Sequence, residues 1–186
     1  MTVKYPNGGH VRVDPLKLPS DGGELVIAGR KLTTLEMAPL LSDVRVVLAH
    51  LVIHGEPVPA GRPRFTRTGH AFDPKRSRDY KKLVSEAAAL QYHGELLHGI
   101  PLKVDVKVYR HVQSSVSKAE RERRLSSEHR PIVKPDASNY LKLIEDALTG
   151  IVWEDDNLIT DVSCHKYYSD DPRIEVTVTE AKQWLN

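Results

Sequence analysis

Apolar and polar residues follow strand-like patterns in four segments of the chain. Residues 44–53 are β-branched and apolar, which predicts a strand. Residues 102–109 alternate apolar and polar side chains, the period of a half-buried strand. Residues 158–168 and 173–179 predict two more strands, joined by the turn sequence Ser169-Asp170-Asp171-Pro172. These strands are expected to form one sheet.

Helical periodicity marks two longer segments. The first runs from Ser77, a candidate N-cap, to about residue 97. The second covers residues 136–148 and is ended by Gly150. Residues 116–127 are highly charged and predict a short helix or a loop. The fold class predicted is α/β (α+β), with a small mixed β-sheet packed against two main helices on one side.

The remaining segments are rich in turn signals. Residues 55–64 contain three prolines and two glycines, which forbid a helix and favour an extended loop. Residues 1–43 also carry closely spaced Pro, Asn and Gly residues. We therefore predict an N-terminal extension of unknown role over 1–43 and one folded domain over 44–186.

Composition narrows the class of protein. The chain has 186 residues, of which 40% are hydrophobic and 28% charged, as in globular domains. No stretch of apolar residues is long enough to span a membrane, and the first fifteen residues lack the apolar core of a secretory signal. Cys164 is the single cysteine, so no internal disulfide can form. These features predict a cytoplasmic protein.

Charge is distributed unevenly, although the net charge is only +2. Two segments are basic, and residues 136–156 carry six carboxylates against Lys142 alone. This division suggests a polyanionic partner and a separate cation site, although an uneven solvated surface would look similar. The leading candidates for contacts with phosphates are Arg62, Arg64, Arg67, Lys75, Arg76, Arg78, Lys81 and Lys82, followed by Arg121, Arg123 and Arg124.

The second predicted helix places four polar side chains on one stripe. At about 100° per residue, Asp136, Asn139, Lys142 and Asp146 fall within roughly 120° of one another. The opposite face is apolar and comprises Tyr140, Leu141, Ile144, Ala147 and Leu148. The alternative is purely structural: an N-cap at Asp136 and an i,i+4 surface pair between Lys142 and Asp146.

An acidic turn follows this helix. Glu154, Asp155 and Asp156 come directly after the apolar residues 151–153. Such acids are costly near apolar residues unless they face water or a cation, and Mg²⁺ prefers oxygen ligands from one or two carboxylates. A solvated turn is the alternative. A nuclease interpretation requires Asp136 and Asp156 to converge.

Several motifs in a fixed order resemble the RusA family of Holliday-junction resolvases. Lys-Pro-Asp-x-x-Asn-x-x-Lys begins at Lys134, Asp-Ala-Leu-x-Gly at Asp146, and Trp-x-Asp-Asp at Trp153. A strand then leads into Ser-Asp-x-Pro-Arg-x-Glu-Val from Ser169. The proline-arginine loop over residues 55–64 is also similar to that of the family. The resemblance spans about residues 46–178.

The resemblance implies a homodimer that binds four-way DNA junctions and nicks two strands with Mg²⁺, for which Mn²⁺ would substitute, in DNA recombination and repair. It implies that Asp136 and Asp156 are metal-binding catalytic residues, with Asp155 beside them. Lys142 matches the catalytic lysine, and Asn139 and Asp146 take supporting positions. A phage or prophage origin is typical of the family.

One departure from the family pattern concerns the metal site. The family usually has a second aspartate where this chain has Ser138. A hydroxyl is a poorer ligand for Mg²⁺. Ser138 could act through a water, another carboxylate (Asp146, Asp155 or Asp161) could complete the site, or the site could be weakened or inactive. Three alternatives remain: a branched-DNA-binding protein with weak cleavage, a metal-dependent nuclease or phosphatase with another substrate such as flaps or RNA, and a structural protein without a nucleic-acid role.

The other conspicuous side chains are expected to be structural. Phe65 and Phe72 are expected in the core, with wedging at an open junction as the alternative. Five histidines show no paired metal-ligand spacing and are expected at the surface or in packing: His54, His70, His93, His98 and His165. Trp153 is expected to anchor the acidic turn, and Cys164 to fill apolar space in a strand.

Overall fold

The computed structural model describes residues 46–62 and 64–181, with the backbone alone at Arg64 and Phe65, and four short strands in the first 45 residues. The chain divides into two compact units, Met1–Arg45 and Val46–Asn186. In the first unit, β1 (Thr2–Lys4) pairs with β2 (His10–Arg12) and β3 (Val26–Ile27) with β4 (Arg30–Lys31), both antiparallel. The remaining turns predicted before Val46 lie outside the described residues.

The second unit contains the predicted sheet and helices. Its strands are β5 (Val47–His54), β6 (Arg64–Phe65), β7 (Ala71–Phe72), β8 (Leu102–His111), β9 (Ile159–Ser169) and β10 (Arg173–Glu180). Its helices are α1 (Lys75–Gln91), α2 (Lys118–Leu125) and α3 (Ala137–Leu148), with a 3-10 turn over Asp156–Leu158. The mixed α+β class is confirmed.

The main sheet has the strand order β5-β10-β8-β9. β10 runs antiparallel to both of its neighbours, whereas β8 and β9 are parallel. A parallel pair needs a long crossover, and here it contains both α2 and α3. Helix α3 is therefore connected to β8 and β9 through the chain on either side of it. This connection places the helix, with its polar stripe, next to the sheet.

Alternate residues of the strands form one apolar face, which packs against α1 and α3. The strands contribute Ala49, Leu51, Ile53, Val104, Val106, Val108, Ile174, Val176 and Val178. The helices contribute Tyr80, Val84, Ala88, Tyr140, Leu143, Ile144, Ala147 and Leu148. Leu143 belongs to the buried face of α3, although the sequence analysis did not include it.

Helix α1 differs from its predicted bounds at both ends. It begins at Lys75 after Pro74, so Ser77 is not its N-cap but a buried residue within its first turn. It ends at Gln91, earlier than predicted. The side chain of Gln91 donates to the carbonyl of Val52 and accepts from the amide of Val52, both at 2.9 Å. The end of the helix is thus fixed by a contact with β5 that periodicity does not reveal.

Candidate active site

A cleft lies between α1 and α3, and the loop before α1 closes one end of it. Its volume is about 340 Å³. It is lined by Ala60, Gly61, Arg62, Asp73, Ser77, Lys81, Asp136, Asn139, Lys142, Leu143 and Asp146. The whole predicted polar stripe of α3 therefore faces one cleft.

The contacts of this stripe differ from those of a purely structural helix surface. Asp136 occupies the N-cap position of α3, but within the described residues its side chain makes no capping hydrogen bond. Asp146 pairs with Lys81 of α1 at 3.2 Å rather than with Lys142. The carboxylate of Asp136 and the ammonium of Lys142 are therefore available to a ligand in the cleft.

The loop that closes the cleft is held by both helices. The amide of Ala60 donates to the carbonyl of Asn139 at 2.8 Å. The hydroxyl of Ser77 donates to the carbonyl of Pro59 and accepts from the amide of Gly61, at 3.1 and 3.0 Å. A Cβ at Gly61 would lie 2.7 Å from Cγ of Pro74, so this close approach requires glycine. Arg62 is thereby placed at the cleft.

The acidic turn approaches α3 at a different point. Trp153 is fully buried beneath it, which confirms the predicted anchor. Asp155 caps the 3-10 turn, because its Oδ1 accepts from the amide of Asn157 at 2.9 Å. Asp156 is exposed and lies outside the cleft lining. Burial, and next the charges of Asp156 and Asp146, raise the pKa of Glu145 on α3.

Glu145 is a candidate site residue that the sequence analysis missed. It lies seven residues after Ser138, about two helical turns, and therefore on the same side of α3 as Ser138, next to the polar stripe but outside the cleft lining. This spacing was the feature of the sequence from which Glu145 could have been predicted.

Asp161 lies on the other side of the sheet. Asp161 and Ser163 are two residues apart on β9 and therefore share one sheet face, where the hydroxyl of Ser163 donates to Asp105. Cys164 points to the opposite face, where it bonds the carbonyl of Ala137 on α3. Asp161 therefore lies on the sheet face opposite α3.

The donors around the cleft are chemically suited to a hard divalent cation. Asp136, Asn139 and Asp146 offer carboxylate and amide oxygens, which Mg²⁺ prefers, and Lys142 and Arg62 can bind phosphate oxygens. In the described part of the chain, no group of three or more His, Cys, Asp or Glu side chains is arranged to hold a metal ion. Joint coordination by Asp136, Asp155 and Asp156 therefore stays a prediction.

The predicted phosphate-binding residues occupy different surfaces. Arg62 and Lys81 line the cleft. Arg67 is exposed in the turn between β6 and β7, and only the backbone of Arg64 is described. The others are exposed along α1: Lys75, Arg76, Arg78 and Lys82. In α2, Arg124 pairs with Glu120, and Arg121 with Asp170.

A second group of cations surrounds the segment before Asp136. Lys166 donates to the carbonyls of Val133 and Pro135, at 3.1 and 2.9 Å. Arg110 donates to the carbonyl of Lys134 at 3.1 Å. Neither residue was predicted from the sequence, because both lie within strands and outside the two basic segments. Only the folded sheet brings them together.

Other structural predictions had mixed outcomes. Phe72 is 41% exposed, so its expected place in the core was wrong; the side chain of Phe65 lies outside the described residues. Cys164 is half-buried against the core, and burial raises the pKa of its thiol to about 11. His54 and His165 contact Asp171 and Asp105, on the sheet rather than in the cleft.

The family model for Endodeoxyribonuclease RusA matches residues 54–179 of this chain. This match covers the cleft, the acidic turn, β8 and β9, nearly all of β10, and the last residue of β5. The chain belongs to the RusA family. A protein of Bacillus subtilis (strain 168) that bears the name Uncharacterized protein YqaN is 38% identical over 133 residues. The aligned region covers 69% of this chain and 93% of the relative.

Membership in the RusA family assigns the protein to the nucleases, which hydrolyse phosphodiester bonds. The two ends of the match fall in β5 and β10, so the RusA-like region lies within the second compact unit. Among the helices that the structure describes, none is long and apolar enough to cross a membrane.

Proposed function

We propose that this RusA-family protein is a Mg²⁺-dependent endodeoxyribonuclease that resolves four-way DNA junctions by paired nicks. The observation that carries the proposal is the uncapped carboxylate of Asp136 at a cleft that also holds Lys142 and Arg62. A carboxylate next to two cations suits a site that must bind both a metal ion and a phosphate.

Each proposed site residue has a role that follows from the chemistry of its side chain. Asp136 and Asp156 would hold the divalent cation, with Asp155 and Asp146 nearby. When bound, the cation would polarise the scissile phosphate and make an attacking water more acidic. Lys142 stabilises the negative charge that develops on the phosphate oxygens in the transition state. Its ammonium lowers the barrier because it interacts more strongly with this increased charge than with the substrate in the ground state. Asn139 orients a neighbouring oxygen through its amide.

DNA binding would use the basic residues around the cleft and along α1. Contacts between cations and phosphates do not read sequence, so they suit recognition of a branched shape. A four-way junction has approximate twofold symmetry, and a homodimer can therefore place one active site on each of two opposing strands. We propose that the protein acts as such a dimer.

Cleavage of a panel of substrates tests this function. Purified protein with Mg²⁺ should nick a four-way junction in two symmetric strands at least about tenfold faster than a flap, a linear duplex or a single strand of the same sequences. EDTA should stop the reaction, and Mn²⁺ should restore it. Equal cleavage of all substrates would reject the junction preference, and cleavage in EDTA would reject the metal requirement.

A second candidate function is binding of branched DNA with weak cleavage. Ser138, which replaces a family aspartate, favours it because an exposed hydroxyl carries no charge for a metal ion. Under this alternative, Ser138→Asp raises the cleavage rate about tenfold or more. A matched Ser114→Asp variant, which adds the same charge at an exposed position before α2, serves as the control. No gain from Ser138→Asp would favour an intact native site, in which Glu145 is the first residue to test.

A further inference from the structure

An exposed apolar pair lies shortly before Asp136 in the chain, separated from it by Lys134 and Pro135. The side chain of Ile132 is 96% exposed, the highest exposure of any large hydrophobic residue described, and Val133 is 49% exposed. We call these two residues the apolar tip. Single exposed hydrophobic residues are common on proteins, so exposure alone assigns no role. Three features distinguish this pair: its anchored backbone, the cations that flank it and its position near Asp136.

The backbone of the apolar tip is fixed although its side chains face solvent. Lys166 binds the carbonyls of Val133 and Pro135, and Arg110 binds the carbonyl of Lys134. Pro131, on the other side of Ile132, is buried. Anchors on both sides of the tip reduce the conformational entropy that a rigid contact would otherwise lose on binding.

Cations flank the apolar tip on both sides along the chain. Arg130 precedes it and Lys134 follows it, and both are exposed. The guanidinium of Arg130 stacks 4.3 Å from the ring centroid of Tyr167 and donates to the carbonyl of Lys166 at 3.1 Å. Its position is therefore set. An apolar tip between two cations matches a nucleic acid, which offers apolar base faces between phosphates.

A second hollow lies between the segment that follows the apolar tip and the active site. It has a volume of about 500 Å³ and is lined by Arg62, Lys134, Pro135, Asp136 and Asn139. Four residue steps separate Ile132 from Asp136, so their Cα atoms lie at most about 14 Å apart. Successive bases rise about 3.4 Å, so this largest backbone separation corresponds to about four base steps.

We infer that Ile132, supported by Val133, is a wedge that inserts between bases at the branch point of the DNA. Apolar side chains that enter a base step unstack it and open the duplex. The stacking at a branch point is already interrupted, so insertion costs less there than in a linear duplex. The inference rests on the proposed function: the wedge places the branch point a fixed distance from Asp136.

Fluorescence of 2-aminopurine at the branch point tests the wedge separately from cleavage. In Ca²⁺, which is used so that the strands stay intact, binding of the wild-type protein should raise the fluorescence because the base unstacks. Ile132→Ser should reduce this increase at least about twofold and slow junction cleavage in Mg²⁺ about tenfold, whereas Ile132→Leu should retain both. Leu90→Ser is the matched control, because Leu90 is an exposed aliphatic residue on α1.

The possible outcomes separate the wedge from the function on which it rests. In one outcome, the wild-type protein nicks junctions, and Ile132→Ser gives the same fluorescence increase and cleavage rate as wild type. This result would overturn the wedge but leave the proposed function in place. No nicking of any branched DNA, with a fluorescence rise that requires Ile132, would reject the proposed function but support insertion. A shift from dimer to monomer in Ile132→Ser, measured by sedimentation, would mean that the tip contacts a second copy, and would overturn the inference.

Discussion

Asp136→Asn is expected to slow Mg²⁺-dependent junction cleavage about 10³-fold without unfolding the protein. The substitution keeps the size of the side chain but removes the charge that would hold the cation. Asparagine is as good as aspartate at an N-cap, and the carboxylate of Asp136 makes no capping bond among the described contacts. Single-turnover cleavage measures the rate, and urea unfolding measures stability, which should change by less than about 0.5 kcal/mol.

Two comparisons make this result specific to the site. Asp79→Asn removes the same charge from an exposed position of α1 outside the cleft, and should cleave at the wild-type rate. Asp156→Asn should lose activity as Asp136→Asn does. If Asp136→Asn and Asp156→Asn both cleave within tenfold of wild type, the assignment of the metal ligands is wrong.

Trp153→Ala should lower the free energy of unfolding by about 3–5 kcal/mol. The side chain is fully buried, and its indole N–H donates to the hydroxyl of Thr149 at 3.1 Å. Its backbone carbonyl accepts from Gly150 at 2.7 Å, so this residue also orders the turn that precedes Asp156. Urea unfolding in EDTA measures the loss without any contribution from bound metal.

Trp153→Phe separates the two contributions of this side chain. Phenylalanine keeps much of the apolar volume but lacks the indole donor, so about 1–2 kcal/mol should be lost. Leu90→Ala, at a residue that is 78% exposed, should change stability by less than about 0.5 kcal/mol. A loss below 1 kcal/mol in Trp153→Ala would show that the acidic turn does not depend on its anchor.

The regular elements of the second unit were largely predictable because their side chains alternate between core and solvent. The strand predicted over residues 102–109 and the helix predicted over 136–148 appear within two residues of their predicted ends. Helix α1 was less predictable. Its start follows from Pro74 and its end from the contact between Gln91 and Val52, and neither leaves a periodic signal.

The polar stripe of α3 was predictable for the same reason, but its partners were not. Helical geometry alone places Asp136 and Lys142 on one side. The pairing of Lys81 with Asp146, and of Lys166 with the carbonyls before Asp136, joins residues more than 30 positions apart. Such contacts depend on how the helices pack on the sheet.

The amide group of Gln91 also affects how the protein behaves at high concentration. β5 is the outermost strand of its sheet, and the outer edge of such a strand can recruit strands from other molecules. Gln91 satisfies both the donor and the acceptor of Val52, as a neighbouring strand would. A foreign strand must therefore displace this amide to add at Val52, which protects the middle of the strand against edge-to-edge aggregation.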